Sequence, residues 1–205
     1  LQFKEEEKTV KIDPYEAMMT RMDAKRQEEN DFTVKLRVNA QPDVEAFVEI
    51  DKASGNVLTG RGSGIIDLEA GDDRLSINGD YILNSGSYTF VAMGLVRKDF
   101  QIEDGSSIRF NGDIMNSTLD INAVYRTKAS LSTLLADEES VSNKRNVNCG
   151  ISITERLSNP ELTFSIQIPD LNPMIQSRVE SALSTEDKVQ KQFLSLIVSN
   201  NFLPD

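Results

Sequence analysis

From residue 32 onward apolar and polar positions alternate with a period of two. The run F-T-V-K-L-R-V-N-A sets Phe32, Val34, Leu36, Val38 and Ala40 on one face and Thr33, Lys35, Arg37 and Asn39 on the other, the pattern of a half-buried strand. Gln41-Pro42-Asp43 predicts a turn. Val44, Ala46, Val48 and Ile50 repeat the alternation, Ala53-Ser54-Gly55-Asn56 predicts a second turn, and Gly60, Gly62, Gly64, Ile66, Leu68 and Ala70 share one parity beyond it. In G-D-Y-I-L-N-S-G-S-Y-T-F, residues 79–90, Tyr81 and Leu83 precede an Asn84-Ser85-Gly86 corner and Tyr88 and Phe90 follow it, which predicts a hairpin. Further segments are Leu75 to Leu83, Tyr88 to Gly94, Phe100 with Ile102, Ile108 with Phe110, Leu119 to Tyr125, Ala129 to Leu135, Ile151 with Ile153, and Leu162 to Ile168. Strands at this spacing without intervening helices predict an all-β antiparallel meander of roughly ten strands or more.

The two ends of the chain read differently. After Ile168-Pro169, Asn172-Pro173 is an N-cap and first-turn pair, and Ile175, Val179 and Leu183 follow at a spacing of four. A second helix opens at Ser184-Thr185-Glu186-Asp187 and carries Val189, Phe193, Leu196 and Ile197 on one stripe, widened by Leu194 and Val198. Helices over 173–183 and 186–199 are therefore expected, with Pro204 closing the segment. Residues 1–31 are rich in Glu and Lys, with Tyr15, Met18, Met19 and Met22 spaced by three and four; they read either as a short amphipathic helix or as a charged linker. The expected organisation is 1–31 as linker or short helix, 32–169 as sheet, and 170–205 as a helical cap.

Composition narrows the chemistry. The chain has 205 residues, a formal net charge of -11 and no histidine. That charge disfavours nucleic acid and anionic membrane surfaces, because phosphate binding rests on clustered Lys and Arg, and points to proteins or neutral ligands as partners. Without His, the commonest general base, the Ser-His and Cys-His pairs and most zinc and iron sites are gone. Cys149, in the alternating N-V-N-C-G-I-S-I-T, fits a small buried thiol. No run of 18 apolar residues exists, and the opening L-Q-F-K-E-E-E-K lacks the order of a signal peptide; it also begins without Met, as part of a longer chain would.

The remaining motifs belong to architecture. Gly60-Arg61-Gly62-Ser63-Gly64 runs on into the strand residues Ile65-Ile66-Asp67-Leu68, with no helix N-terminus to hold a phosphate; three glycines at one parity instead mark a sharp bend or a close approach. Asp72-Asp73, Asp80 and Asp113 sit beside glycines and read as turn residues rather than glycosidase acids, and the chain has no Trp to stack a sugar. No window supplies a calcium loop, and Asn116-Ser117-Thr118 is a glycosylation sequon too common to use alone. No enzyme activity, cofactor or metal is expected. What remains is the apolar parity itself, which by periodicity alone favours a sandwich whose sheets cover each other over the alternative of a single curled sheet with an apolar groove, without deciding between them.

The blocks G-R-G-S-G-I-I-D-L, G-D-Y-I-L-N-S-G-S-Y-T-F, K-D-F-Q-I-E-D-G-S-S-I-R-F-N-G-D, L-D-I-N-A-V-Y-R-T-K-A-S-L, L-S-N-P-E-L-T-F and K-Q-F-L-S-L-I-V, in this order over about residues 32 to 203, resemble the C-terminal domain of the TamB family, within the AsmA-like group. The resemblance implies a curled, taco-like sheet with an apolar groove. It implies the periplasmic part of a protein anchored in the inner membrane of a Gram-negative bacterium, with the anchor outside residues 1–205. It further implies phospholipid transport between inner and outer membranes, or assembly of outer-membrane proteins by strand addition, with an Omp85-class partner (TamA-like or BamA-like). On that basis the groove wall is expected to comprise Val34, Leu36, Val38, Val48, Ile50, Ile66, Leu68, Tyr81, Leu83, Tyr88, Phe90, Leu119, Ile121, Tyr125, Phe164 and Ile166. The cap or partner-docking residues are expected to be Val179, Leu183, Phe193 and Ile197.

Overall fold

The computed structural model describes residues 2–4, 33–71, 74–136 and 143–204. One antiparallel sheet holds eight strands, each beside its neighbour in the chain: β1 (Gln2–Lys4), β2 (Val34–Asp51), β3 (Asn56–Gly71), β4 (Arg74–Ala92), β5 (Val96–Ile102), β6 (Ser107–Ser130), β7 (Lys144–Arg156) and β8 (Asn159–Gln167). Three helices follow the sheet or interrupt it: α1 (Ser132–Leu135), α2 (Pro173–Ala182) and α3 (Glu186–Ser199). Alternation with short connections builds this meander, since each two-residue step turns the same face inward.

Among the described residues there are eight strands rather than the roughly ten expected, because two predicted corners are bends within strands. Gln41-Pro42-Asp43 does not turn the chain: β2 stays paired with β3 on both sides, Ala40 opposite Gly64 and Val44 opposite Gly62, so the extra residues form a bulge. Asn84-Ser85-Gly86 likewise makes no hairpin, and β4 pairs with β3 from Arg74 to Thr89 with one irregularity. Polar turn residues here shape a long strand whose partner supplies the hydrogen bonds. A true reversal lies inside β6, whose first arm pairs with β4, Ser107 opposite Ile82 through Gly112 opposite Ile77, while residues 118–130 pair with β7. Gly112 has φ 86°, and the Met115 N–H donates to Asp113 Oδ1 at 2.8 Å, so the turn falls between the arms.

Two further segments depart from expectation. Ala129 to Leu135 was expected as a strand; the strand stops at Ser130, where the Ser132 N–H donates to Ser130 Oγ at 3.3 Å, and α1 begins. Gln2–Lys4, expected within a linker or helix, pairs with Glu45–Phe47 of β2 as an edge strand. The predicted stripe of Tyr15, Met18, Met19 and Met22 lies outside the described residues.

The glycines locate the crease. A Cβ on Gly62 would run into the Ile82 carbonyl, and one on Gly64 into that of Asp80, because the backbone of the paired strand β4, with Leu83 opposite Gly62 and Tyr81 opposite Gly64, comes too close to these positions for a side chain. Tyr81 lies over the bare strip and donates its hydroxyl to the Val44 carbonyl at 2.8 Å, tying β4 across β3 to the bulge of β2. Burial pushes the Tyr81 phenol up to about 12. The sheet thus curls about β3 and β4, and its concave face gathers the apolar residues while Lys35–Glu69 and Arg37–Asp67 pair on the exposed convex face.

Candidate functional site: the concave face

The expected groove residues share this inner face but not one degree of cover. Val48, Ile50, Ile66, Tyr81, Leu83, Tyr88, Phe90, Leu119 and Ile121 are buried, with Leu83, Tyr88 and Ile121 at 0% exposure. Val34, Val38, Leu68, Tyr125, Phe164 and Ile166 are half-buried. Leu36, of the same parity, is 54% exposed. The face is therefore closed toward its centre and open where the early part of β2 faces the late part of β3.

Helix α3 covers the other end. Thr185 caps it by accepting from the Lys188 N–H at 3.3 Å, and Glu186 and Asp187 favour its positive first turn. Phe193 inserts into an aromatic nest: its ring centroid lies 4.5 Å from Phe164, 5.9 Å from Phe100 and 6.2 Å from Phe90. Leu196 and Ile197 are at 0% exposure beside it. Asn200 ends the helix in the left-handed region and accepts from the Thr127 hydroxyl at 2.8 Å, fixing the helix end to an inward position of β6. Gln192 then clasps the tail: its Nε2 donates to the Leu203 carbonyl at 2.9 Å, and the Leu203 N–H returns to Oε1 at 2.8 Å, seating Phe202 at 3% exposure. Full pairing is what makes a buried Gln tolerable.

Of the expected cap residues, Phe193 and Ile197 meet the sheet interior, Val179 is buried on α2, and Leu183 is half-buried after it. Asn172 accepts from the Ile175 N–H at 2.9 Å with Pro173 at the first helical position, the capping read from the sequence. Between β8 and the helices lies a cavity of about 500 Å³ lined by Phe164, Ile166, Val179, Leu183 and Val189 among others. A second, of about 610 Å³, lies where the β2–β3 turn approaches the β7–β8 turn, with Ile50, Met115, Leu157 and Leu162 in its wall.

Several inner-face residues were missing from the expected set. Phe100, Val147, Cys149, Ile151 and Ile153 are as buried as those named, and the alternation of β5 and β7 was signal enough to find them. Gln192 was not findable, since its partner lies in an irregular tail. Burial pushes the Cys149 thiol up to about 12, making it a poor nucleophile. The Tyr88 and Ser117 hydroxyls are buried without a hydrogen-bond partner, and burial raises the Tyr88 phenol.

This arrangement defines a class: an all-β protein built on one curled antiparallel sheet, with an apolar concave face and an amphipathic helix of its own over part of it. The TamB C-terminal domain matches residues 2–205, and the chain belongs to that family. The match reaches well upstream of residue 32, so the acidic N-terminal stretch, for which the block resemblance offered no counterpart, falls within the family domain. No curated protein and no solved structure matched the chain. The family is one of transport and assembly in the bacterial periplasm and envelope, not a known enzyme family, and its members associate with an outer-membrane partner. No helix among the described residues is long and apolar enough to cross a membrane.

Proposed function

We propose that this domain shelters phospholipid acyl chains on the concave face of its sheet, as one end of a groove that carries lipid between the inner and outer membranes. The observation that supports this reading is the exposure gradient along one apolar row. Leu36 is 54% exposed while Ile66, of the same inner face, is at 2%. An uncovered apolar strip continuous with a buried one can take up a hydrocarbon chain at about 0.8 kcal/mol per methylene while the headgroup stays in water. No catalytic group or energy-coupling site is required. The accessible section is Val34, Leu36, Val38 and Leu68; Ile121 and its neighbours become accessible only where cover is withdrawn.

A photo-crosslinking side chain at Leu36 is expected to capture phospholipid in cells, and the same side chain at Arg37, on the convex face, is not. Equal capture at both positions, or none at Leu36 in a folded protein, overturns the reading. A second reading, assembly of outer-membrane β-strands with an Omp85-class partner, draws on β8, which pairs with β7 alone among the described strands. Client peptides that add to β8 and still bind when lipid saturates the groove favour that alternative.

A further inference from the structure

The β4–β5 turn is Met93-Gly94-Leu95, and among the described residues Met93 and Leu95 are the most exposed large apolar side chains at a turn of the sheet, at 74% and 88%. Met93 and Gly94 both lie in the left-handed region, φ 52° and 68°, and the Leu95 N–H donates to the Ala92 carbonyl at 3.0 Å, closing a tight reversal between the paired Ala92 and Val96. Nothing about a turn requires apolar residues, and a soluble turn ordinarily carries polar ones. Behind the tip, at the same end of the sheet, stand exposed cations on the convex face. Arg97 is paired with Val91 on β4, Lys128 is opposite Asn146, and Lys144 is opposite Ser130, so Lys128 and Lys144 are diagonal neighbours across β6 and β7. Asp99 lies one pair further in, accepting the Thr89 hydroxyl at 2.7 Å. In a chain of net charge -11, Arg97, Lys128 and Lys144 thus share one face behind two bare apolar side chains.

We propose that this end of the sheet docks on an anionic lipid bilayer, with Met93 and Leu95 entering the headgroup boundary and Arg97, Lys128 and Lys144 resting against lipid phosphates. Apolar tips flanked by cations bind such a surface by burying hydrocarbon area and by attraction to its negative potential. The contact is with the bilayer surface and does not depend on the groove carrying lipid.

The chain has no Trp, so a single Trp is a clean reporter. Leu95→Trp is expected to shift its fluorescence to the blue when vesicles of phosphatidylethanolamine and phosphatidylglycerol are added, whereas Ile65→Trp, exposed on the convex face away from this end, is not. Met93→Ser with Leu95→Ser should weaken vesicle binding by about tenfold or more, the loss of two apolar contacts. Lys128→Glu with Lys144→Glu should weaken it while the thermal midpoint holds. Added salt should weaken the binding as well, because it screens the attraction of Arg97, Lys128 and Lys144 for lipid phosphates. Absence of a Leu95→Trp shift, an equal shift at Ile65, or equal binding to vesicles of phosphatidylcholine alone overturns the proposal.

Discussion

At the end of the sheet where β4 turns into β5, Phe90, Phe100 and Phe164 enclose Phe193 of α3, and Tyr125 packs on Phe100 at 5.7 Å. Where β2 begins, Val34, Leu36, Val38 and Leu68 sit on the same concave face with much less over them. Both regions come from the same alternation of apolar and polar residues. What separates them is a helix from more than sixty positions later in the chain than Tyr125, which supplies a cover to one end and none to the other. Covered apolar surface is structural capital for the fold; uncovered apolar surface is a binding opportunity, and the periodic pattern is identical in the two.

The comparison breaks first at Phe193. Phe193→Ala leaves a hole in the aromatic nest and should cost about 3–5 kcal/mol, while Leu36→Ala at the open end should stay within about 1 kcal/mol. Urea melts of the two variants measure the difference; equal losses would mean that α3 contributes no more to stability than the open rim. The crease comes next. Gly62→Ala forces a methyl against the Ile82 carbonyl and should cost about 1–3 kcal/mol by overpacking, whereas Gly94→Ala, with nothing within 4 Å of its Cβ, should lose less, through backbone strain alone.

Smaller effects sharpen the picture. Tyr81→Phe removes the bond to the Val44 carbonyl and should lower stability by about 1 kcal/mol without altering the near-ultraviolet signature of the Phe193 nest. The pH dependence has a definite sign. Cys149 and Tyr81 have folded pKa values raised from 9.0 and 10.0 to about 12, each by burial, so the unfolded chain releases these protons first. Their contribution is fully present below pH 9 and falls as pH rises toward 12. Cys149→Ser should flatten the lower part of that alkaline decline, measured by thermal melts, and a thiol reagent should reach Cys149 only on unfolding.

Much of this molecule was legible in its residues. Alternation assigned Tyr81, Leu83, Tyr88, Phe90, Leu119 and Ile121 to one inward face; Asn172-Pro173 and Thr185-Glu186-Asp187 marked where helices begin; and the parity of Gly60, Gly62 and Gly64 marked a sharp bend or a close approach, of which the backbone of β4 supplies the approach. These are local rules, because side-chain direction along a strand and unpaired amides at a helix start depend on a few neighbouring residues. The same rules misread Gln41-Pro42-Asp43 and Asn84-Ser85-Gly86, where a neighbouring strand supplied hydrogen bonds that carried the chain straight through polar corners. Only the tertiary structure decided which part of the apolar face α3 would cover, how Gln192 would clasp the tail, and that Arg97, Lys128 and Lys144 of an acidic chain would gather behind Met93 and Leu95. Each of those outcomes depends on distances between residues far apart in sequence, and burial and electrostatic attraction act through space rather than along the chain.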